Sequence, residues 1–245
     1  MGRHLRVAEL SLTTPQSIET QMAALKTKGL SKTYLWGFLA VVVGLVVGLV
    51  IWNYGIPSIS GAGSKYQPTI KLEGGTLPPL ELTDQYGRPF NLDMVKGKAV
   101  LIYFGYTNCP DVCPVVLQKF TKTLNALGAD ADKIAFVFVS VDPWRDTPEA
   151  LRDWVNRYFD PRIIALTGPK EKIFQIIAEY KVPVYYTDEK GNPVNPEELP
   201  PGTRYFVSHF SWVLGADRGH SLRLALTPEM DEKEYVDAAR WLISQ

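Results

Sequence analysis

The feature that most limits what this chain can become is a stretch without charge. No residue from Thr33 to Ser64 carries a formal charge, and Leu35–Trp52 reads LWGFLAVVVGLVVGLVIW, 18 residues with no strong polar group. A hydrocarbon core about 30 Å thick is crossed by about 20 such residues in helical form. Tyr34, Asn53 and Tyr54 complete that length, and Trp36, Trp52 and Tyr54 stand near its ends, where interfacial aromatics belong. A core helix of a soluble domain keeps a polar side, which this stretch lacks. The apolar region of a cleaved signal is shorter, about 7–15 residues. The pattern therefore predicts a retained transmembrane helix over residues 34–54, preceded by a short polar segment, 1–33, in which Thr14-Pro15 could open a small helix.

Flanking charge orients the span. Lys26, Lys28 and Lys32 lie just before it, and the first basic residue beyond it is Lys65. Positive charge stays inside, so residues 1–33 are expected in the cytoplasm or matrix. The rest of the chain is expected on the outer face, in the periplasm, the cell exterior or the intermembrane space. Gly44 and Gly48 have the spacing through which two spans can pack into a homodimer, although two small residues facing lipid account for it equally well. The whole chain has 26 basic and 26 acidic residues, a net charge of zero. No basic run is present to track a phosphate backbone, so a nucleic-acid partner is not expected.

Residues 55–79, rich in Gly, Ser and Pro, read as a linker, and a globular domain is expected over 80–245. A hairpin forms around Gln85–Arg88. Ala99–Phe104 and Ile134–Val141 are uninterrupted apolar runs, the mark of buried strands. Between them, Val116, Phe120, Leu124 and Leu127 recur at helical steps. Asp146-Thr147-Pro148-Glu149 opens a second helix, with Thr147 or Asp146 as cap. A third helix follows over 169–180, then a polar insert over 188–204. Two strands around 216–219 and a helix opened by Thr227-Pro228-Glu229 end the chain. Strands alternating with helices, then a hairpin and a helix, specify an α/β fold, a mixed sheet flanked by helices in thioredoxin-like order.

Both cysteines of the chain, Cys109 and Cys113, follow the first buried strand and sit where a helix begins. A helix N-terminus favours thiolate, the form that attacks disulfides and binds metals. Pro114 cannot donate to the carbonyl of Pro110, which places the regular helix start near Val112. Cys109 is then on the loop and Cys113 on the first turn, so the two sulfurs can converge on one ion or close a disulfide. Two thiolates are soft ligands for Cu(I) or Zn, and structural zinc wants four protein ligands. Copper with a histidine as third ligand suits the inventory better. His209 precedes a predicted strand at the helix-start end of the sheet, whereas His220 lies in a hairpin turn and needs no function. The same pair could instead form a structural disulfide, but closing so short a loop stabilises little.

Three runs resemble one family. YFGYTNCPDVCP is similar to the signature of the SCO/SenC copper proteins. Val141-Asp142-Pro143-Trp144-Arg145-Asp146-Thr147-Pro148-Glu149 resembles their second motif, and Val207-Ser208-His209-Phe210-Ser211 their third. The resemblance covers about residues 75–245. It implies a thioredoxin-like fold and copper held by Cys109, Cys113 and His209. It also implies a metallochaperone role: delivering copper to, or reducing the cysteines of, the binuclear copper site of cytochrome c oxidase subunit II. Other copper chaperones or thiol reductants would be further partners. Family members often carry an acidic residue directly before the histidine, where this chain has Ser208. The competing function is a thiol–disulfide oxidoreductase or redox sensor without obligatory copper, with Cys109 and Cys113 as its reacting groups and His209 dispensable. For Asp142 and Asp146, capping of the helix at 146–149 is preferred over restraint of the cysteine loop. Phe104 and Tyr106 read as packing residues.

Overall fold

The computed structural model describes residues 32–54 and 66–245, and within the first stretch the side chains of residues 36–47. Contacts divide the chain into two units, 1–61 and 62–245. In the first unit, α1 (Lys32–Tyr54) is an unbroken helix of 23 residues, about 35 Å long at the usual rise per residue. Its described side chains are exposed all round, Trp36, Phe38 and Leu45 among them. Among the residues with described side chains, no helix is long and apolar enough to cross a membrane. The small helix expected after Thr14 and the linker residues up to 65 fall outside the described residues.

The second unit is built on an eight-stranded sheet of order β1-β10-β9-β4-β5-β6-β2-β3. Its strands are β1 (Ile70–Lys71), β2 (Leu82–Asp84), β3 (Pro89–Phe90), β4 (Ala99–Gly105), β5 (Ile134–Ser140), β6 (Ile164–Thr167), β9 (Val213–Ala216) and β10 (Leu222–Leu226). The centre is parallel, β4 against β5 and β5 against β6. Every residue of β4 and β5 is buried, which is why both read as continuous apolar runs. The two parallel crossovers are α2 (Val112–Leu127) and α3 (Pro148–Tyr158). Both lie on one face of the sheet: Phe120 of α2 meets Phe136, and Trp154 of α3 meets Phe138 two residues along the same strand. The C-terminal α5 (Glu232–Ser244) packs against α2. On the other face, Phe104 stacks with Tyr180, which follows α4 (Lys170–Glu179).

Three expectations shift. The domain begins before residue 80. β1 pairs with β10, Thr76 bridges to Ser221, and Leu77 and Leu80 are buried, so residues 70–79 belong to the folded unit rather than to a linker. The cap of α5 is Asp231, whose side chain accepts from the N–H of Glu234, and not the Thr227 turn. Last, β7 (Val184–Thr187) and β8 (Phe206–His209) form a separate two-stranded ribbon, with Val184 paired to His209. The polar insert 188–204 is the connection between these two strands. The ribbon is tied to the main sheet by Tyr186, whose hydroxyl donates to the carbonyl of Val141 at 2.7 Å.

Candidate metal centre

The centre lies at the C-terminal end of β4, where the chain leaves the sheet at Gly105 and re-enters a helix at Val112. Helix α2 does begin at Val112, and the pyrrolidine of Pro114 sits in its first turn, where no backbone donor is needed. Cys109 is on the loop with 8% of its surface exposed, and Cys113 on the first turn with none. Both are free thiols. His209 ends β8, and its Nε2 stands 3.5 Å from Cys113 Sγ. The two sulfurs and the imidazole nitrogen all lie within 4.8 Å of one another. Ligands about 2.0–2.3 Å from an ion sit roughly 4 Å apart when three surround it, so this cluster fits a three-coordinate metal with small adjustments.

Orientation of the histidine comes from the backbone of the next residue. His209 Nδ1 lies 3.1 Å from the carbonyl oxygen of Phe210. A carbonyl can only accept, so this contact assigns the proton to Nδ1 and leaves the Nε2 lone pair facing the sulfurs. The rings of Tyr103 and Tyr106 flank the imidazole edge-on, each with centroids 6.0 Å away. Ser208 is exposed and points away, as alternation along a strand requires. An acid at that position would not reach the ring in this arrangement, so Ser208 removes nothing from it.

The sulfurs are inequivalent. The Cys109 thiol is brought down to about 4, first by a hydrogen bond from Cys113, which outweighs the opposing cost of burial, and further by the backbone N–H groups of Cys113 and Asp111. Burial pushes the Cys113 thiol up, and the neighbouring Cys109 adds to this. One proton is thus shared by the pair, leaving the thiolate at Cys109, the less buried of the two, and the thiol at Cys113. Gly105 makes room for them: a Cβ there would come within 2.9 Å of both Cys113 Sγ and the Phe138 ring.

The second motif supports the centre from two sides. Thr147, not Asp146, caps α3, accepting from the N–H of Ala150. Asp146 instead accepts from the N–H and hydroxyl of Thr107 at 3.0 and 2.5 Å and from Ser140 at 2.6 Å. It fastens the cysteine loop. Asp142 accepts from Arg145 at 2.5 Å and from the hydroxyl of Tyr205 at 2.6 Å. Arg145 also donates to the Tyr205 carbonyl at 3.1 Å, lies 3.5 Å above the Tyr205 ring and 5.7 Å from that of Tyr106. This fastens the strand carrying His209. Both aspartates are fully buried, and the capping preference does not hold. Sequence reasoning passed over Tyr103, Arg145 and Tyr205 as site residues. Two buried acids in one motif were the available signal, since buried carboxylates demand partners.

His220 is elsewhere. β9 runs antiparallel to β4 with Val213 beside Tyr103 and Ala216 beside Val100. The turn that follows Ala216 therefore falls at the opposite end of the sheet from the cysteines.

Comparison with known proteins gives the family and the fold. The SCO1/SenC family matches residues 72–244. The chain belongs to the SCO1/SenC family. A SCO2-like protein of Rickettsia prowazekii is 33% identical over 186 residues, covering 74% of this chain and 84% of that protein. The structure of Bradyrhizobium japonicum ScoI with copper bound has 33% identity and a TM-score of 0.58, covering 68% of this chain and 99% of that one. Yeast Sco1 with copper bound also has 33% identity, with a TM-score of 0.57, covering 66% and 85%. The mixed sheet flanked by helices is the thioredoxin-like fold of these relatives.

Proposed function

We propose that this chain is a membrane-anchored copper metallochaperone that serves the binuclear copper site of cytochrome c oxidase subunit II. The observation that carries the reading is the meeting of Cys109, Cys113 and His209 within 4.8 Å. Two sulfurs and an imidazole form a soft, three-donor set that suits copper as cargo. The relatives ScoI and Sco1, whose structures hold copper, support this choice of metal. Transfer by ligand exchange needs an undercoordinated ion and a donor near the surface, and Cys109, the less buried of the two cysteines, is the nearer one.

The low thiol value of Cys109 supports a second use of the same pair. Its thiolate would attack a recipient disulfide and form a mixed disulfide. Cys113, deprotonated as it attacks, would then release the recipient as a dithiol and leave Cys109–Cys113 oxidised, two electrons having passed outward. Copper chaperones or thiol reductants would complete each cycle. The 23-residue length of α1 and the uncharged run from Thr33 support a single membrane anchor, N-terminus inside and the second unit on the outer face. The pair Gly44 and Gly48 leaves room for a homodimer.

Anaerobic titration of the full chain in detergent with Cu(I) and with Cu(II) tests the reading. About one copper per chain is expected, lost in Cys109→Ser and in His209→Ala. His209→Ala should still reduce a disulfide substrate. Retention of copper by both variants would defeat the metallochaperone assignment.

A further inference from the structure

Beneath the centre lies a side chain that neither motif spacing nor packing alone accounts for. Tyr103 is on β4, fully buried, and its hydroxyl donates to Cys113 Sγ at 3.5 Å. Among the described residues this hydroxyl has no other hydrogen-bond partner. A buried hydroxyl must be satisfied or it costs stability. A neutral thiol is a weak acceptor. The bond strengthens greatly when the acceptor carries charge. Phenylalanine would fill the same space against Phe138 and the imidazole of His209 with nothing left to satisfy. The hydroxyl therefore makes physical sense chiefly for a state in which Cys113 is a thiolate. Metal ligation imposes that state on a thiol.

We propose that Tyr103 is a positioning residue that tunes the Cys113 sulfur as a metal donor, through its hydroxyl. The inference rests on the copper reading above. Its ring braces the imidazole of His209 and its hydroxyl meets Cys113, so one side chain from the rigid centre of the sheet touches two of the three donors. Hydrogen bonds to a ligating cysteine sulfur lower its donor strength and adjust the redox potential of the ion it holds. Tyr103 thus biases the centre toward Cu(I), the ion with less need of electron donation from sulfur. A disulfide sulfur accepts as poorly as a thiol, so the hydroxyl should discriminate little between the two metal-free states.

The test is Tyr103→Phe in the full chain, compared with wild type in four measurements. The sulfur-to-Cu(II) charge-transfer band should move to lower energy. The Cu(II)/Cu(I) midpoint should fall. Cu(I) retention against a competing chelator should drop about tenfold. The dithiol–disulfide midpoint of the metal-free protein should stay nearly fixed, with an unchanged melting temperature. An unshifted band with unchanged retention overturns the proposal and leaves the metallochaperone reading standing. A metal-free midpoint that moves as far as the copper midpoint also overturns it, because the hydroxyl would then act on the thiols themselves. Wild-type protein that takes up no copper removes both readings together.

Discussion

Asp146 offers a sharp test of how the cysteine loop is held. It is fully buried, and its carboxyl is pushed up to about 6 from an ordinary value of 3.8, burial outweighing the hydrogen bonds from Ser140 and Thr107. The folded state thus binds a proton more readily than the unfolded state between these two values. Stability from this group is greatest below the unfolded value and is lost as pH rises through the folded one. Each unit of difference is worth roughly 1.4 kcal/mol. At pH 7 both states are ionised, and at pH 4 the folded carboxyl is protonated while the unfolded one is about half so. The group therefore adds about 2 kcal/mol of stability between pH 7 and pH 4. Asp160 has the opposite sign: hydrogen bonds from Arg162 hold its carboxyl below the usual range, so it loses stability only as pH falls further. The assay is denaturant unfolding of the wild type and of Asp146→Asn at several values between pH 4 and 7, under reducing conditions. Asp160 and the Cys109 thiolate titrate in both proteins, so their effects cancel in the difference. Wild type should gain on the variant by about 2 kcal/mol as pH falls across that window. A difference that stays flat would refute the argument that burial governs this carboxyl.

Two further variants probe the geometry. Gly105→Ala places a methyl within 2.9 Å of Cys113 Sγ and the Phe138 ring. Overpacking of this kind costs about 1–3 kcal/mol, and the displaced sulfur should weaken copper uptake. Calorimetric melting and copper titration would show both, and wild-type values in each would count against the close fit. Arg145→Ala leaves the fully buried Asp142 without its cation. Breaking a buried pair by removing one partner costs about 3–5 kcal/mol, so the denaturation midpoint should fall steeply, whereas a loss under about 1 kcal/mol would mean that Tyr205 alone satisfies the acid.

Much of this protein is written in local spacing. The runs that became β4 and β5, the helical steps of Val116, Phe120, Leu124 and Leu127, and the break at Pro114 depend on neighbours a few residues away. Periodicity reads such features directly. The cysteines belong to this class, because a strand that ends at Gly105 and a helix that starts at Val112 settle where both sulfurs stand. The uncharged run of α1 is legible for the same reason.

Long-range pairing decided the rest. His209 lies 96 positions from Cys113 and meets it because β8 pairs with β7 in a ribbon bound through Tyr186 to Val141, just beyond the C-terminal end of the central strand β5. No period in the chain distinguishes His209 from His220. The register of β9 on β4 does, by sending the latter to the far end. Asp142 and Asp146 sit in a segment whose composition favours capping, yet their carboxylates found hydroxyls, an amide and a guanidinium on Thr107, Ser140, Tyr205 and Arg145. A buried acid takes whatever donors the packed fold brings to it. Which donors those are depends on how distant segments pack together, and that information is absent from any short window of residues.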